Sequence, residues 1–365
     1  MSALTIAHVS TQRGWHGGEE QARLLCEGLR KCGHRNLVFA RHDGKFAQRM
    51  QTDGFQVHPL AGSGRGLRAI WQMRSAWKSL RPDVVHFHDP HALGGGGLAA
   101  HGLGIPARIV ARRVDFSIRS GWRYRRLVDC VIAVSSAVAG VCRASGVPNE
   151  KIRVVHDGVD PRRTRSGNRQ RGRKSVDIPD DAALLLTVAT LTDHKGHRFL
   201  IEAMRSVVDV LGDKVRLILA GDGELRPGLE AHRDLWCAKS SIDFLGYRDD
   251  VPDLLKAADL FVLPSHMEGL CSTLIDVMIA RTPIITTTAG GIPDLVGRRD
   301  GDGAVAVLVP PKDPPALAAA ILAALADRNA LRSMVDRAEA RALRFFTDEQ
   351  MVEGTLRVYR EFVPA

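Results

Sequence analysis

The sequence has no apolar stretch long enough to cross a lipid bilayer. Its longest apolar run, Ala316–Ala326, is rich in alanine and too short for a membrane span. This run follows Asp313-Pro314-Pro315, a capping residue with early prolines, which predicts a helix outside the membrane. The first residues, Met1–Ser10, alternate like a strand and lack the basic region and long apolar core of a signal peptide. We therefore expect a cytoplasmic protein.

Cysteine pairs with metal-ligand spacing are also absent. The six cysteines are scattered along the chain, and no two of them form a C-x-x-C pair. This distribution favours a reduced compartment over a disulfide framework, and it supports no zinc site. The cysteines are Cys26, Cys32, Cys130, Cys142, Cys237 and Cys271.

Acidic residues are outnumbered by basic ones, and aromatic residues make up only 5% of the chain. The net charge of +10 favours an anionic partner, such as a phosphate-bearing substrate, an acidic membrane surface or nucleic acid. The segment Pro161–Lys174 carries seven basic residues but no interleaved aromatic residue. It predicts a solvated linker, and we expect no nucleic-acid partner.

The chain has 365 residues, too many for one compact core, so two domains are expected. In each half, short apolar segments alternate with longer helical patterns, which predicts an α/β fold with two doubly wound parallel sheets. We expect an N-terminal Rossmann-like domain over residues 1–160, a basic linker over 161–177 and a C-terminal Rossmann-like domain over 178–345. A final helix over 346–365 is expected to pack back on the first domain.

Several predicted strands are followed at once by glycine or polar residues. Ligands of doubly wound sheets bind beyond the carboxyl ends of the strands, so these residues are candidates for ligand contacts. The predicted strands of the first half are Leu4–Val9, Asn36–Ala40, Val84–His88, Arg108–Ala111 and Val131–Val134. Those of the second half are Leu184–Ala189, Val215–Ala220, Ile242–Leu245, Leu260–Leu263, Ile284–Thr287 and Ala304–Val309.

Two helix starts carry residues suited to anions. Gly17 and Gly18 lack a Cβ, so their N–H groups can approach a phosphate, although a flexible turn explains the pair equally well. Lys195 stands at another helix start, where a cation opposes the helix dipole unless an anion offsets it. A solvated lysine is the alternative.

Two acids follow the strand Leu260–Leu263: Glu268 lies just before the next helix and Asp276 lies on it. They could act as a general acid and base or accept hydrogen bonds from sugar hydroxyls, and their spacing leaves both interpretations open. Dipole capping by Glu268 and a surface position for Asp276 are the simpler explanations.

His86 and His88 share one face of a predicted strand, with Asp89 and His91 next to them in the sequence. This arrangement is compatible with a metal site. A separate segment, Arg119–Arg126, combines four arginines with two aromatic residues. Such a mixture leaves two interpretations open: an amphipathic patch that contacts an anionic membrane, and a solvated cationic helix whose aromatic rings pack inward.

A set of motifs runs in order along nearly the whole chain. The set is GGEEQ, PDVVHFHDPHA, VVHDGVD, HKGHRFLIEAM, LAGDGEL, LGYRDDVPDLLKAADLFVLPS, EGLCSTLIDVM and TTAGGIPDLV. With these motifs the chain resembles the retaining GT-B-fold glycosyltransferases of family 4, above all members that build lipopolysaccharide or other surface glycans. The resemblance implies two Rossmann-like domains facing each other across a cleft, with the donor in the second domain and the acceptor in the first.

The resemblance also implies residue roles. Gly17, Gly18 and Lys195 would bind the donor diphosphate, Glu268 the hydroxyls of the donor sugar, and Asp276 the nucleotide ribose. The other implied donor contacts are Tyr247, Arg248, Gly269, Leu270 and Cys271. The catalytic set is Glu268, Lys195, His88 and Asp115, with His88 or Asp89 near the acceptor.

Three positions depart from the family pattern. Asp276 stands where the family usually has Glu, and Ala189-Thr190 replaces a common arginine. The segment Ala111–Phe116 lacks a histidine that many members carry, so Asp115 or the neighbouring arginines would shape that side of the site.

The implied function is retaining transfer of a sugar from a UDP- or GDP-sugar to a hydroxyl of a glycan or lipid-linked acceptor. The resemblance implies no metal and no other cofactor, because cationic and N–H groups would neutralise the leaving diphosphate. Peripheral contact with the anionic inner face of the membrane is expected. The alternatives are a catalytically impaired nucleotide-sugar-binding protein and a sugar-nucleotide-processing enzyme of the same fold.

Overall fold

The computed structural model describes residues 2–179, 181–236, 241–297 and 303–363, so Cys237 lies outside the described residues. The chain divides into two compact units. Unit 1 comprises Met1–Gly158 with Asp348–Ala365, and unit 2 comprises Val159–Thr347. Among the described residues, each helix is too short or too polar to cross a membrane.

Unit 1 is built on a seven-stranded parallel sheet with the strand order β3-β2-β1-β4-β5-β6-β7. Its strands are β1 Thr5–Ser10, β2 Arg35–Arg41, β3 Gln56–Leu60, β4 Val84–Phe87, β5 Ala107–Arg112, β6 Cys130–Ala133 and β7 Ile152–Val154. Its helices are α1 Gly17–Lys31, α2 Lys45–Thr52, α3 Leu67–Leu80, α4 Pro90–Ala100, α5 Gly121–Arg126 and α6 Ser136–Ala144, together with the last helix of the chain, α16 Asp348–Phe362.

Unit 2 is built on a six-stranded parallel sheet with the order β10-β9-β8-β11-β12-β13. Its strands are β8 Ala183–Val188, β9 Val215–Ala220, β10 Ile242–Gly246, β11 Leu260–Leu263, β12 Ile284–Thr287 and β13 Val307–Val309. Its helices are α7 Pro161–Arg165, α8 Arg169–Ser175, α9 His197–Leu211, α10 Arg226–Trp236, α11 Val251–Ala257, α12 Ser272–Ala280, α13 Ile292–Val296, α14 Pro314–Ala326 and α15 Arg332–Phe345. The predicted α/β class with two doubly wound sheets is therefore confirmed.

The C-terminal helix α16 returns to unit 1 and completes its core. Leu356 and Tyr359 of α16 are buried in one apolar cluster with Leu25 and Leu29 of α1 and Val84 of β4. Burial of such side chains contributes about 1.5–3 kcal/mol each, so the last helix is an integral part of this domain.

The sequence-based prediction of a linker over 161–177 is wrong. This segment forms α7 and α8, which pack on unit 2. The basic residues of the segment are paired with acids: Arg171 lies 2.8 Å from Asp253, and Arg169 lies 2.8 Å from Asp259. Those acids are more than 80 residues away in the sequence. The composition of the segment by itself therefore indicates a solvated linker and does not reveal these ion pairs.

A matched pair of glycines tests the packing of α1 on α16. A Cβ on Gly28 of α1 would lie 2.3 Å from Cγ2 of Val352, whereas a Cβ on Gly140 of α6 meets no atom within 4 Å. We expect Gly28→Ala to destabilise unit 1 by about 1–3 kcal/mol through overpacking. Gly140→Ala should stabilise it by about 0.5–1 kcal/mol, because alanine restricts the unfolded chain.

Thermal unfolding followed by tryptophan fluorescence measures this difference, since four of the five tryptophans lie in unit 1. Equal melting temperatures for the two variants would contradict the close approach of α1 and α16.

Candidate active site

The order of the strands in unit 2 reverses between β8 and β11. From β8 the chain continues outward to β9 and β10, then crosses back to β11 and continues outward to β12 and β13. Adjacent strands whose connections leave in opposite directions open a crevice at their carboxyl ends, the usual ligand site of doubly wound sheets. The loop after β8 carries Lys195, and the loop after β11 carries Glu268.

The structure brings these two predicted residues into direct contact. The Lys195 ammonium donates a hydrogen bond to Glu268 Oε1 over 2.7 Å. The Ser265 hydroxyl donates to the same oxygen, also over 2.7 Å. Glu268 is only 5% exposed, so its carboxylate is held by two donors in a largely dry setting. Sequence reasoning missed Ser265, which the strand-end position alone could have indicated.

Glycines without room for a side chain hold both loops. Gly196, next to Lys195, has a φ of +70°, and a Cβ there would lie 2.2 Å from the carbonyl oxygen of Pro264. Gly290, with a φ of +51°, would place a Cβ 1.9 Å from the carbonyl oxygen of Glu268. These positions require glycine, and the close backbone packing fixes where the lysine and the glutamate emerge.

The predicted donor contacts after Glu268 form the entry to α12. Gly269 and Leu270 are buried, and Cys271 precedes the helix with a φ of +73°, a left-handed conformation that is strained for a side-chain-bearing residue. Burial raises the pKa of the Cys271 thiol to about 12, so this thiol is protonated and unreactive at neutral pH.

The other predicted donor residues of unit 2 lie on α12 and after β10. Asp276 accepts a hydrogen bond from the hydroxyl of Thr164 in α7. Tyr247 and Arg248 follow β10, the edge strand, and Arg248 donates to Asp250 over 2.7 Å. The predicted ribose and base contacts are therefore positioned by α12 and by the sheet edge, respectively.

Unit 1 has the same reversal, between β1 and β4. Gly17 and Gly18 begin α1 after β1, and a Cβ on Gly17 would meet no atom within 4 Å. The protein's packing therefore does not require glycine at position 17. His16 and Glu19 form a capping box there, in which the Glu19 carboxylate accepts from the His16 N–H over 3.0 Å.

The residues after β4 divide into structural and candidate functional groups. The carboxylate of Asp89 accepts from the N–H and the hydroxyl of Thr11 and from the N–H groups of His91 and Ala92. It caps α4 and ties the β1 and β4 loops together, which explains Asp89 structurally. His88 is buried beside it.

The loop after β5 contains the third candidate group of unit 1. Arg113 lies 3.1 Å from Asp157, and both side chains are largely buried. Burial raises the pKa of the Asp157 carboxyl, an effect that the Arg113 charge opposes. The predicted residue Asp115 is half-buried in the same loop. Sequence reasoning named the arginines but missed Asp157, which lies 44 residues away.

A solved structure shares this architecture over almost the whole chain. HepE of Anabaena, solved in complex with UDP and glucose, superposes with a TM-score of 0.85 at 20% identity, covering 98% of this chain and 99% of HepE. At this identity the likeness establishes the fold.

Two protein-family models match the two units in turn. Residues 15–163 match the model described as Glycosyltransferase Family 4, and residues 168–341 match the model described as Glycosyl transferases group 1. The chain belongs to the GT-B glycosyltransferases of family 4.

Curated relatives in this family are moderately similar. The putative colanic acid biosynthesis glycosyltransferase WcaL of Escherichia coli is 29% identical over 326 residues, which are 86% of this chain and 72% of WcaL. An uncharacterized glycosyltransferase of Methanocaldococcus jannaschii is 27% identical over 237 residues, which are 63% of this chain. The match spans 59% of that relative's length.

Buried histidines make the stability of unit 1 depend on pH. Burial lowers the pKa of His8 to about 4 and those of His86 and His88 well below the usual value. The unfolded chain takes up protons on these rings below about pH 6.5, whereas the folded protein does not. Each of the three rings should cost about 1.5 kcal/mol between pH 6.5 and pH 5, so the free energy of unfolding should fall by roughly 4–5 kcal/mol over this range.

Urea unfolding followed by tryptophan fluorescence at a series of pH values measures this loss. The range from pH 7.5 to pH 8.5 is the control, because there at least about nine-tenths of each ring is neutral in the unfolded chain and the folded protein is neutral as well. A stability that stays constant from pH 7 down to pH 5 would contradict the burial of neutral imidazoles.

Proposed function

We propose that this family member is a retaining glycosyltransferase that moves a sugar from a UDP- or GDP-sugar to a hydroxyl of a glycan or lipid-linked acceptor, in lipopolysaccharide or other surface-glycan synthesis. The observation that carries the proposal is the contact of Lys195 with Glu268 at the strand reversal of unit 2. The UDP complex of HepE and the name of WcaL support the donor class and the surface-glycan setting.

Lys195 would stabilise the leaving diphosphate. As the bond from the sugar to the phosphate breaks, negative charge grows on the diphosphate, and a fixed cation in a dry site lowers the barrier. An ammonium has three N–H donors, so Lys195 can bind Glu268 and a phosphate oxygen together. With N–H groups at Gly269, Leu270 and Cys271 added, the transfer would need no metal ion and no other cofactor.

Glu268 would orient the donor sugar. The Lys195 and Ser265 side chains both bond Oε1, and a carboxylate has a second oxygen that can accept from sugar hydroxyls. The acceptor hydroxyl would then attack from the face that the diphosphate leaves, which retains the configuration. Asp276 would bind the ribose, and Tyr247 with Arg248 would contact the base.

Unit 1 would supply the remaining predicted contacts. The open backbone at Gly17 and Gly18 would bind diphosphate oxygens, since N–H groups at a helix start favour anions. His88 and Asp115 would lie at the acceptor, on the loops after β4 and β5. These four roles stay predictions.

A cationic and apolar surface on unit 1 supports peripheral contact with the inner membrane face. It consists of three helices, α3, α4 and α5, which contain no Asp or Glu. Arg74 of α3 donates to the Ala99 carbonyl of α4 over 3.0 Å, so these two helices are neighbours. Leu67 and Trp71 of α3 are 86% and 69% exposed, and arginines flank them. Exposed apolar side chains among cations suit an anionic bilayer surface.

Removing the Lys195 charge should abolish most donor turnover. We expect Lys195→Met to lower kcat by about 10²–10³, the range for removing one charge-stabilising donor, while Lys214→Gln leaves it unchanged. Lys214 is an exposed lysine of the same unit. Glu268→Gln, which keeps the shape of the side chain but removes its charge, should also lower turnover strongly.

Release of free nucleotide from a panel of UDP- and GDP-sugars is the measurement, with calorimetric binding of the same donors. Donor binding without nucleotide release by the wild type would contradict the proposal and favour a non-catalytic binding protein. Conversion of the sugar without transfer would favour a sugar-nucleotide-processing enzyme.

Two leucines of similar exposure test the membrane surface. Leu67 lies on α3, whereas Leu235, 81% exposed, lies on α10 of unit 2. We expect Leu67→Ser to weaken binding to phosphatidylglycerol vesicles by about tenfold, because a buried leucine contributes about 1.5–3 kcal/mol, and Leu235→Ser to leave it unchanged. Co-sedimentation with phosphatidylcholine vesicles is the neutral control. Equal binding of both variants would place the contact elsewhere.

A further inference from the structure

Three side chains at the strand reversal of unit 1 form a buried hydrogen-bonded chain. His8 Nε2 lies 2.9 Å from Asn36 Oδ1, and His8 Nδ1 lies 2.9 Å from His88 Nε2. The three residues come from β1, from β2 and from the position directly after β4. All three are less than one-tenth exposed.

The two imidazole rings are arranged for a hydrogen bond with each other. Their planes differ by 12° and their centroids are 5.2 Å apart, so the two facing nitrogens point at one another nearly in line. Nitrogens of His8, His86 and His88 lie within 4.8 Å of one another, a grouping that could hold a metal ion. Ligands of a metal must instead converge on a common point, so the in-line contact of His8 with His88 is a hydrogen bond.

The direction of this chain follows from the amide of Asn36. Its NH2 group donates to the carbonyl oxygens of Cys26 and His34, both over 3.3 Å, which fixes Oδ1 on the side of His8. Because Oδ1 can only accept, His8 must carry its proton on Nε2. His8 Nδ1 then holds a lone pair and must accept from His88 Nε2. The remaining nitrogen of His88, Nδ1, is therefore the one with a lone pair.

Each ring carries one proton at neutral pH. Burial lowers the pKa of His8 to about 4 and that of His88 well below the usual value, and Arg113 also disfavours a charge on His88. A neutral chain of this kind has a single direction, because reversing it would leave two lone pairs facing each other at Asn36.

The chain ends at an acceptor that lacks a partner within the described residues. His88 Nδ1 is buried and has no hydrogen bond there, although the ring is 7% exposed. An unpaired buried acceptor costs about 1–3 kcal/mol, so its presence calls for a ligand with a donor group. His88 directly follows β4, at the sheet edge where ligands of doubly wound domains bind.

We propose that His88 Nδ1 accepts a hydrogen bond from a hydroxyl of the sugar acceptor, and that His8 and Asn36 are positioning residues that fix the His88 tautomer for this task. This inference rests on the proposed function and deepens it. Nδ1 is a neutral acceptor, which binds a hydrogen-bond donor and offers nothing to an anion, and the donor groups of a glycan are hydroxyls.

Nitrogen-15 NMR of the histidine-labelled full-length protein tests the tautomers directly. We expect both His8 and His88 to be protonated on Nε2 and unprotonated on Nδ1 at pH 7.5, with signals assigned by their loss in His8→Gln and His88→Gln. Protonation of His88 on Nδ1 would overturn the inference. The result does not depend on donor turnover, so the proposed transferase activity would survive it.

A kinetic comparison tests the role in acceptor binding. Asn36→Leu removes the acceptor that fixes His8, whereas Tyr359→Phe removes a hydroxyl that contacts His86 in the same cluster and leaves the chain intact. With methyl glycosides of glucose, galactose and mannose as probe acceptors, Asn36→Leu should raise the acceptor KM about tenfold, the effect of one hydrogen bond, with the donor KM unchanged. Tyr359→Phe should change neither constant.

Equal increases in the acceptor KM for both variants would indicate a general packing effect and overturn the positioning role. A change in the donor KM alone would also overturn it. If Asn36→Leu does not fold, or if the enzyme does not glycosylate the probe glycosides, the tautomers of His8 and His88 in the wild-type protein still test the inference.

Discussion

The pairing of β8 with β11 is the constraint on which the candidate site of unit 2 depends. These strands are parallel neighbours, with Leu260 opposite Leu185, so the loops that follow them leave the sheet at one edge. Residues 73 positions apart thereby meet as the contact between Lys195 and Glu268. If the chain had added β11 beyond β10 instead of crossing back to β8, the lysine and the glutamate would be separated by two strands.

The contact between Lys195 and Glu268 is not explained by a contribution to the stability of the fold. A largely buried ion pair gains little net free energy, because the loss of hydration offsets the attraction between the charges. The protein nevertheless holds it in place with Gly196 and Gly290, each in a left-handed conformation with no room for a Cβ. Constraints of this kind fix the geometry of charges before a ligand arrives, which is the condition for stabilising charge that develops during a reaction.

The central strands could be predicted from the sequence because they are buried on both faces and read as apolar runs. The strands β3 and β7 could not, since they lie at the two edges of the unit 1 sheet and carry polar or half-exposed residues such as His58 and Arg153. The basic segment that forms α7 and α8 was wrongly predicted to be a linker for a related reason. Its partners, Asp253 and Asp259, are distant in sequence, and composition alone does not reveal them.

The candidate site was predictable to the extent that its residues follow strands. Lys195, Glu268 and His88 all follow strands, and the pattern of each half identified them. The pairings required the strand order: His8 and His88 are 80 residues apart, and Asn36 lies 28 residues from His8. Strand-end position therefore indicates which residues are candidates for a site, whereas the strand order decides which of them lie together.

The two units differ in the kind of group they present at equivalent places. At its reversal, unit 2 places a charged pair, Lys195 and Glu268, whereas unit 1 places a chain of neutral rings ending at His88. A fixed cation suits a diphosphate that gains charge as a bond breaks. A neutral acceptor suits a hydroxyl that must be oriented without attracting anions, and burial keeps the imidazoles neutral for it. One fold, used twice, thus holds a charged pair at one strand reversal and neutral hydrogen-bonding rings at the other.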